Sequence, residues 1–221
     1  MPLARADRLL NLAVFATGLG ATLLLGTAAR RQLRSVPNGR PRPAHVSQWR
    51  SIAASGSLLG SPAQGVTITV FSDFQCSYCS RFAGKLRTLR ERYPRDVQVI
   101  FRHNPLVRSH PHAVGAAIAA VCAGRQGAFE AYHDALFAQQ DSIGLKAWTA
   151  YARDAGIRDT AAFAACLASP AAEAQVSRDR EDARRLGLTT TPSFLVNDTR
   201  FVGDYPLDTL DLFVRRATAT R

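Results

Sequence analysis

Lysine is nearly missing from this chain. Lys85 and Lys146 are the only two among 28 basic residues, so a formal net charge of +11 is carried almost wholly by arginine. Arginine-rich basicity raises nucleic acid as a partner, yet no aromatic platform is interleaved with the arginines. They alternate instead with acids, as in Arg178-Asp179-Arg180-Glu181-Asp182. The expectation is therefore a solvated basic surface and no nucleic acid, with a use beside an anionic membrane. Cysteine is scarce as well: of four residues only Cys76 and Cys79 form a C-x-x-C. No second C-x-x-C and no H-x-x-x-H follows, so a structural zinc lacks the four convergent ligands it needs. No internal repeat is visible.

What is present begins with Leu9 to Ala29, an uncharged and mainly apolar run. At about 21 residues it is long enough to cross a bilayer as a helix, so residues 1–30 read as an export signal or membrane anchor. Thr27-Ala28-Ala29 offers small residues where a signal peptidase cuts. Arg5 and Arg8 precede the run while Arg30, Arg31, Arg34, Arg40 and Arg42 follow it. A strict count of positive charges would leave the rest of the chain in the cytoplasm. The cysteine pair, with the resemblance given below, outweighs that count and places the chain in an oxidising envelope compartment. Residues 31–64 read as a Pro-, Gly- and Arg-rich spacer followed by a short helix and an edge strand between Trp49 and Leu59.

From residue 65 the pattern is that of an α/β domain. Val66, Ile68 and Val70 alternate with Thr67 and Thr69, and Phe82, Leu86, Leu89 and Tyr93 recur at helical spacing. Between the two lies Cys76-Ser77-Tyr78-Cys79. A strand that hands a C-x-x-C to the first turn of a helix sets the leading sulfur among unpaired N–H groups at the positive end of the helix dipole. That setting favours thiolate over thiol at Cys76. Cys79, one turn on, is close enough to resolve a mixed disulfide. The alternatives for this pair are a structural zinc and a non-functional pair of core cysteines. Val97, Val99 and Phe101 then read as a second core strand, His110 to Leu186 as almost all helix, and Ser193 to Val196 with Arg200 to Val202 as a hairpin about Asn197-Asp198. A helix from Pro206 closes the chain.

Phe71-Ser72-Asp73-Phe74-Gln75-Cys76-Ser77-Tyr78-Cys79, together with Thr190-Thr191-Pro192-Ser193-Phe194, resembles the DsbA-like thioredoxin-fold oxidoreductases of bacterial envelopes. His110-Pro111-His112-Ala113, Cys122 to Gly127 and Tyr132 to Phe137 extend the likeness, which covers about Val66 to Arg216. The resemblance implies a thioredoxin fold over residues 65–221 with a helical insertion at about 106–186. It implies a nucleophile at Cys76, a resolving thiol at Cys79, a cis bond before Pro192, and substrate docking at Thr191, Pro192, Ser77 and Tyr78. Ser77 is also expected to donate a hydrogen bond to the Cys76 sulfur. Where DsbA itself carries a histidine this chain has Tyr78, which implies a milder potential. Where family members often carry a buried acid it has Val70. Asp73 is expected to act as a turn or surface residue, or to relay a proton through water. Cys122 and Cys166 fall on apolar stripes of separate helices; they pack as free thiols or pair, and an even cysteine count in an exported chain favours a structural disulfide. His103, His110, His112 and His133 are expected in packing and turn roles.

The function implied is an exported thiol:disulfide oxidoreductase of the periplasm, needing no cofactor or metal, that passes disulfides to exported proteins. A membrane redox partner like DsbB or the vitamin K epoxide reductase would reoxidise it. The alternatives are a reductase or isomerase, or a non-catalytic Cu(I) binder that uses the two sulfurs as soft ligands.

Overall fold

The computed structural model describes residues 41–219. The expected anchor at 1–30 and most of the spacer lie outside them, and among the described residues no helix is long and apolar enough to cross a membrane. Six strands form one sheet: β1 (Ala44–His45), β2 (Ser57–Leu59), β3 (Val66–Ser72), β4 (Val97–His103), β5 (Ser193–Val196) and β6 (Thr199–Val202), in the order β1-β6-β5-β3-β4-β2. β3 and β4 run parallel, with Val66 opposite Val97, and the other pairs are antiparallel. The parallel pair needs a crossover. α2 (Ser77–Arg92) supplies it, laying Phe82, Leu86 and Leu89 on the Val66, Ile68 and Val70 face before Pro94 ends the helical pattern.

β3 was expected to bury one face more deeply than the other, but the structure buries both. The second face, with Phe71 and Leu195, is covered by α1 (Trp49–Ala54) and α7 (Pro170–Arg185) through Ile52, Ala183, Leu186 and Leu188. Between β4 and β5 come α3 (Ala113–Arg125), α4 (Phe129–Ala138), a 3-10 turn at Gln140–Ser142, α5 (Trp148–Asp154), α6 (Thr160–Leu167) and α7. Local signals delimit them. Asp159 caps α6 by accepting from the Ala162 N–H at 2.8 Å, and Ser169 with Pro170 opens α7. Gly187, at φ +66°, stops α7: its N–H bonds the Arg184 carbonyl and the Leu188 N–H bonds that of Ala183. The backbone there is left-handed, which glycine adopts without a Cβ penalty. At the hairpin, Asn197 (φ +50°) extends the ladder, giving its N–H to the Thr67 carbonyl and taking the Thr67 N–H on its side-chain oxygen. A closing helix, α8 (Leu207–Ala219), packs Leu210 and Val214 into the core.

Two covalent or ionic links hold the helical block. Cys122 on α3 and Cys166 on α6 form a disulfide, with Cα atoms 5.7 Å apart and a sequence separation of 44. Arg102 on β4 is wholly buried: its Nε lies 2.8 Å from Asp179, a second nitrogen bonds Asp182, and a third bonds the Ile52 carbonyl. The Arg178 to Asp182 segment was read as solvated surface. Asp179 departs from that: it faces the sheet and takes both Arg102 and the His103 N–H. Burial pushes its carboxyl pKa up against the pull of Arg102.

Removing one partner of a buried pair leaves an uncompensated charge. Asp179→Ala is therefore expected to lose about 3–5 kcal/mol in urea unfolding; a loss below about 1 kcal/mol would mean that the pair does not anchor α7. The loop-closure relation for 44 residues puts the Cys122→Ala/Cys166→Ala variant about 4 kcal/mol below the parent in the same assay. An unchanged midpoint would contradict that.

Candidate functional site

Cys76 sits immediately ahead of α2 in an extended conformation (φ −80°, ψ 115°). Its N–H bonds the Asp73 carbonyl at 3.1 Å, and its own carbonyl takes the Cys79 and Ser80 N–H groups at 3.0 and 3.2 Å. That wrap turns the sulfur toward the first turn of the helix. The register of β3 with β5 supplies the other wall. Phe71 lies opposite Ser193, so the residues running out of the two strands, 73 to 76 and 192 to 190, leave the sheet side by side. The Thr191–Pro192 bond is cis, and the Thr191 carbonyl oxygen lies 3.5 Å from the Cys76 sulfur. Ser193 fixes the loop by donating to the Thr190 carbonyl at 2.7 Å, and the Gly203 N–H donates to the Pro192 carbonyl at 2.9 Å.

The two sulfurs are driven apart electrostatically. The pKa of Cys76 is lowered from about 9 to about 6, first by the hydrogen bond from the Cys79 thiol, then by the Thr191 side chain and the Cys79 and Tyr78 N–H groups, with burial opposing. Cys79 is pushed well up, by burial first and then by its bond to Cys76 and the Cys76 charge, while the Ser72 and Thr191 side chains pull the other way. Cys76 retains 6% of its surface and Cys79 only 1%. Both are buried, and the lowered pKa falls on the less enclosed of the two. The dominant influence on Cys76 is its partner thiol, where the sequence suggested the helix terminus. The Thr191 hydroxyl is buried with no fixed hydrogen bond among the described residues, so it is left to orient toward the sulfurs.

The neighbouring residues Ser77, Tyr78 and Asp73 are placed as follows. Ser77 is exposed and is not among the groups that shift Cys76, so the hydrogen bond expected from it is absent. Tyr78 is 57% exposed with the Arg81 guanidinium 4.4 Å over its ring, and so faces outward beside the sulfur. Asp73 is a turn residue, as expected, but a buried one, and its carboxylate is engaged on both oxygens. One carboxylate oxygen takes the Leu106 N–H and His110 Nδ1, each at 2.7 Å, and the other takes the Gln75 N–H at 2.7 Å. It pins the loop after β4 against the C-x-x-C turn.

Gln140 escaped sequence reasoning altogether. Its amide donates to the Phe74 and Cys76 carbonyls at 2.6 and 3.1 Å, docking the insertion on the turn across 64 residues. No local pattern marks such a residue. Gln75 does the same in reverse, accepting the His112 N–H at 2.7 Å. His103 and His133 are buried in an aromatic cluster with Phe74, Phe101 and Phe129. Burial lowers the His103 pKa to about 3, so it stays neutral. Among the described residues no group of three or more His, Cys, Asp or Glu is arranged to hold a metal ion.

A family model described as thioredoxin matches residues 53–215. Among curated proteins, the Na(+)/H(+) antiporter NhaA of Herminiimonas arsenicoxydans is 33% identical over 159 residues, which is 71% of this chain and 25% of that protein. The match spans about a quarter of the relative's length. Among solved structures, a thioredoxin-like oxidoreductase from Silicibacter pomeroyi DSS-3 is 28% identical with a TM-score of 0.65, covering 77% of this chain and 96% of the other. A periplasmic thioredoxin-like protein from Salmonella enterica serovar Typhimurium shares the fold at 24% identity and a TM-score of 0.62, covering 78% and 97% of the two chains.

Cys76 is depressed, so its contribution to the folded dithiol form is complete above pH about 9 and is lost as pH falls through about 6. The disulfide form does not titrate. The reduction potential of the pair should therefore change by ~59 mV per pH unit below the Cys76 pKa and by ~30 mV above it, as proton uptake falls from two to one. A potential measured from pH 5 to 8 that kept one slope throughout would show that Cys76 is an ordinary thiol.

Proposed function

Because this chain belongs to the thioredoxin family, in its DsbA-like form, we propose that it passes disulfides to exported proteins through Cys76 and Cys79. The carrying observation is the split between the sulfurs: one acidic and the less enclosed, the other protonated and more deeply buried. In the oxidised state a substrate thiolate attacks the Cys76 sulfur. The Cys76–Cys79 bond breaks, and Cys79 leaves with the electron pair and takes up a proton, as its raised pKa requires. A second substrate thiolate then attacks the substrate sulfur of the mixed disulfide. Cys76 departs as a thiolate, a good leaving group because of its low pKa. The substrate loses two electrons and the C-x-x-C gains them.

Stabilising the leaving thiolate stabilises the reduced protein, and this favours donation of disulfides over reduction or isomerisation. Reoxidation needs an electron acceptor, and a quinone-linked membrane protein like DsbB or the vitamin K epoxide reductase suits an anchored chain. Docking is assigned to the Thr191 backbone beside the sulfur, where an extended segment adds as a strand, and to the exposed ring of Tyr78. An envelope location fits the Cys122–Cys166 disulfide, since such bonds persist in oxidising compartments. Ion transport, named for the antiporter, is not carried over, because only a quarter of that protein aligns.

The test is kinetic trapping. Cys79→Ser, mixed with a disulfide-bonded peptide, should accumulate a mixed disulfide as the Cys76 thiolate attacks one peptide sulfur and the other leaves as a thiolate, and Cys76→Ser should form none. In glutathione buffers the parent potential is expected toward the oxidising end, nearer about −120 mV than about −270 mV. A potential at the low end reverses the direction proposed, and trapping through Cys79 in place of Cys76 overturns the roles.

A further inference from the structure

Beside the dithiol lies a cavity of about 700 Å³ that the exchange chemistry does not use. Its walls are the loop after β4, the last turns of α7 and the Leu188-Thr189 segment that leads to the cis proline. It is tied to the reacting sulfur from both sides. Asp73 holds the Leu106 N–H on its carboxylate and the Cys76 N–H on its carbonyl. Thr189 precedes by two residues the Thr191 whose carbonyl lies 3.5 Å from the Cys76 sulfur. Two residues span at most about 7 Å, which puts the cavity mouth within reach of a polypeptide docked at Thr191, two to four residues from its own cysteine.

The lining has a definite chemistry. Leu106, Leu188 and the 48% exposed Val107 give an apolar floor, with Arg108, Arg180 and Arg184 at the mouth and Glu181 as the one carboxylate among the lining residues. Arg184 is already held by Glu181 at 2.8–2.9 Å, and its place in the last turn of a helix suits a cation in any case. Arg108 and Arg180 have no such partner among the described residues, as is also true of exposed arginines away from the cavity such as Arg50 and Arg95. Arg87, Arg90, Arg92, Arg102, Arg185 and Arg215 all meet a carboxylate. Arg108 and Arg180 are exposed and meet none among the described residues. Neither lies in a last helical turn. Three guanidiniums against one carboxylate leave two positive charges over an apolar floor, and a guanidinium fork is built to take a carboxylate.

We propose that this cavity receives an acidic side chain, flanked by apolar residues, from the polypeptide bound at Cys76, so that the preferred substrates are cysteines with Asp or Glu two to four residues away. The inference rests on the disulfide-exchange reading above. The test uses the oxidised protein and three reduced single-cysteine peptides differing only in Glu, Gln or Lys at those flanking positions, with rates of mixed-disulfide formation expressed per thiolate. The expected order is Glu over Gln over Lys, spanning about tenfold at low salt and shrinking in 1 M salt, where the screening length falls to about 3 Å. Arg108→Glu/Arg180→Glu should reverse the order while leaving exchange with uncharged 2-mercaptoethanol unchanged. Equal rates for the three peptides, or an order that survives the double substitution, overturn the inference and leave the exchange reading standing. An effect of the substitutions on glutathione but not on the peptides also overturns it, in favour of a small anionic thiol. A parent protein that exchanges with no thiol at all removes the reading on which it rests.

Discussion

The antiparallel register of β3 with β5 is the constraint from which the site follows. With Phe71 set opposite Ser193, the two chains that leave the sheet at that edge are the C-x-x-C turn and the Thr190–Pro192 loop. A shift of one residue would turn every β5 side chain to the opposite face, sending Phe194 out of the core it shares with Phe82 and carrying Thr191 away from the sulfur. Core packing and active-site geometry are thus enforced by the same pairing. A substrate segment that docks against Thr191 meets an edge whose position is set by the most deeply buried part of the fold.

The second face of the sheet matters for the same reason. Arg102 ties β4 to α7 through Asp179 and Asp182 and to α1 through the Ile52 carbonyl. α7 ends at Gly187 and delivers the chain straight into Leu188 to Pro192. The buried pair costs desolvation, which shows in the raised pKa of Asp179, and an apolar substitute of similar volume could be as stable. What it adds is direction: charged partners with several fixed hydrogen bonds hold a helix at one rotation and height. Asp73 does similar work on the other side, holding Leu106 and His110 beside the C-x-x-C turn.

Between these supports the chemistry resides in two sulfurs with unequal surroundings. Cys76 is stabilised as a thiolate by donors that include its own partner, and Cys79 pays in turn by holding its proton more tightly. Val70 contributes packing alone at the place where a relative can carry a buried acid. The polar groups left near Cys79 are the Ser72 and Thr191 side chains, both of which ease its ionisation.

The signals legible in the chain were the local ones. Alternation in Val66 to Val70, the helical stripe from Phe82 to Tyr93, the break at Pro94 and the hairpin at Asn197 are each written in a few consecutive residues, because backbone geometry imposes periods of two and about 3.6. The C-x-x-C and its helix terminus belong to the same class, and so does the even pair of remaining cysteines. Tertiary structure alone decided which thiol most lowers Cys76, that Asp73 is buried, that Gln140 reaches the turn from 64 residues away, and that Asp179 turns inward from a segment of alternating charge to meet Arg102. Those outcomes depend on which surfaces meet once the sheet is assembled. A residue's partners across such a distance leave no period in the sequence that carries them.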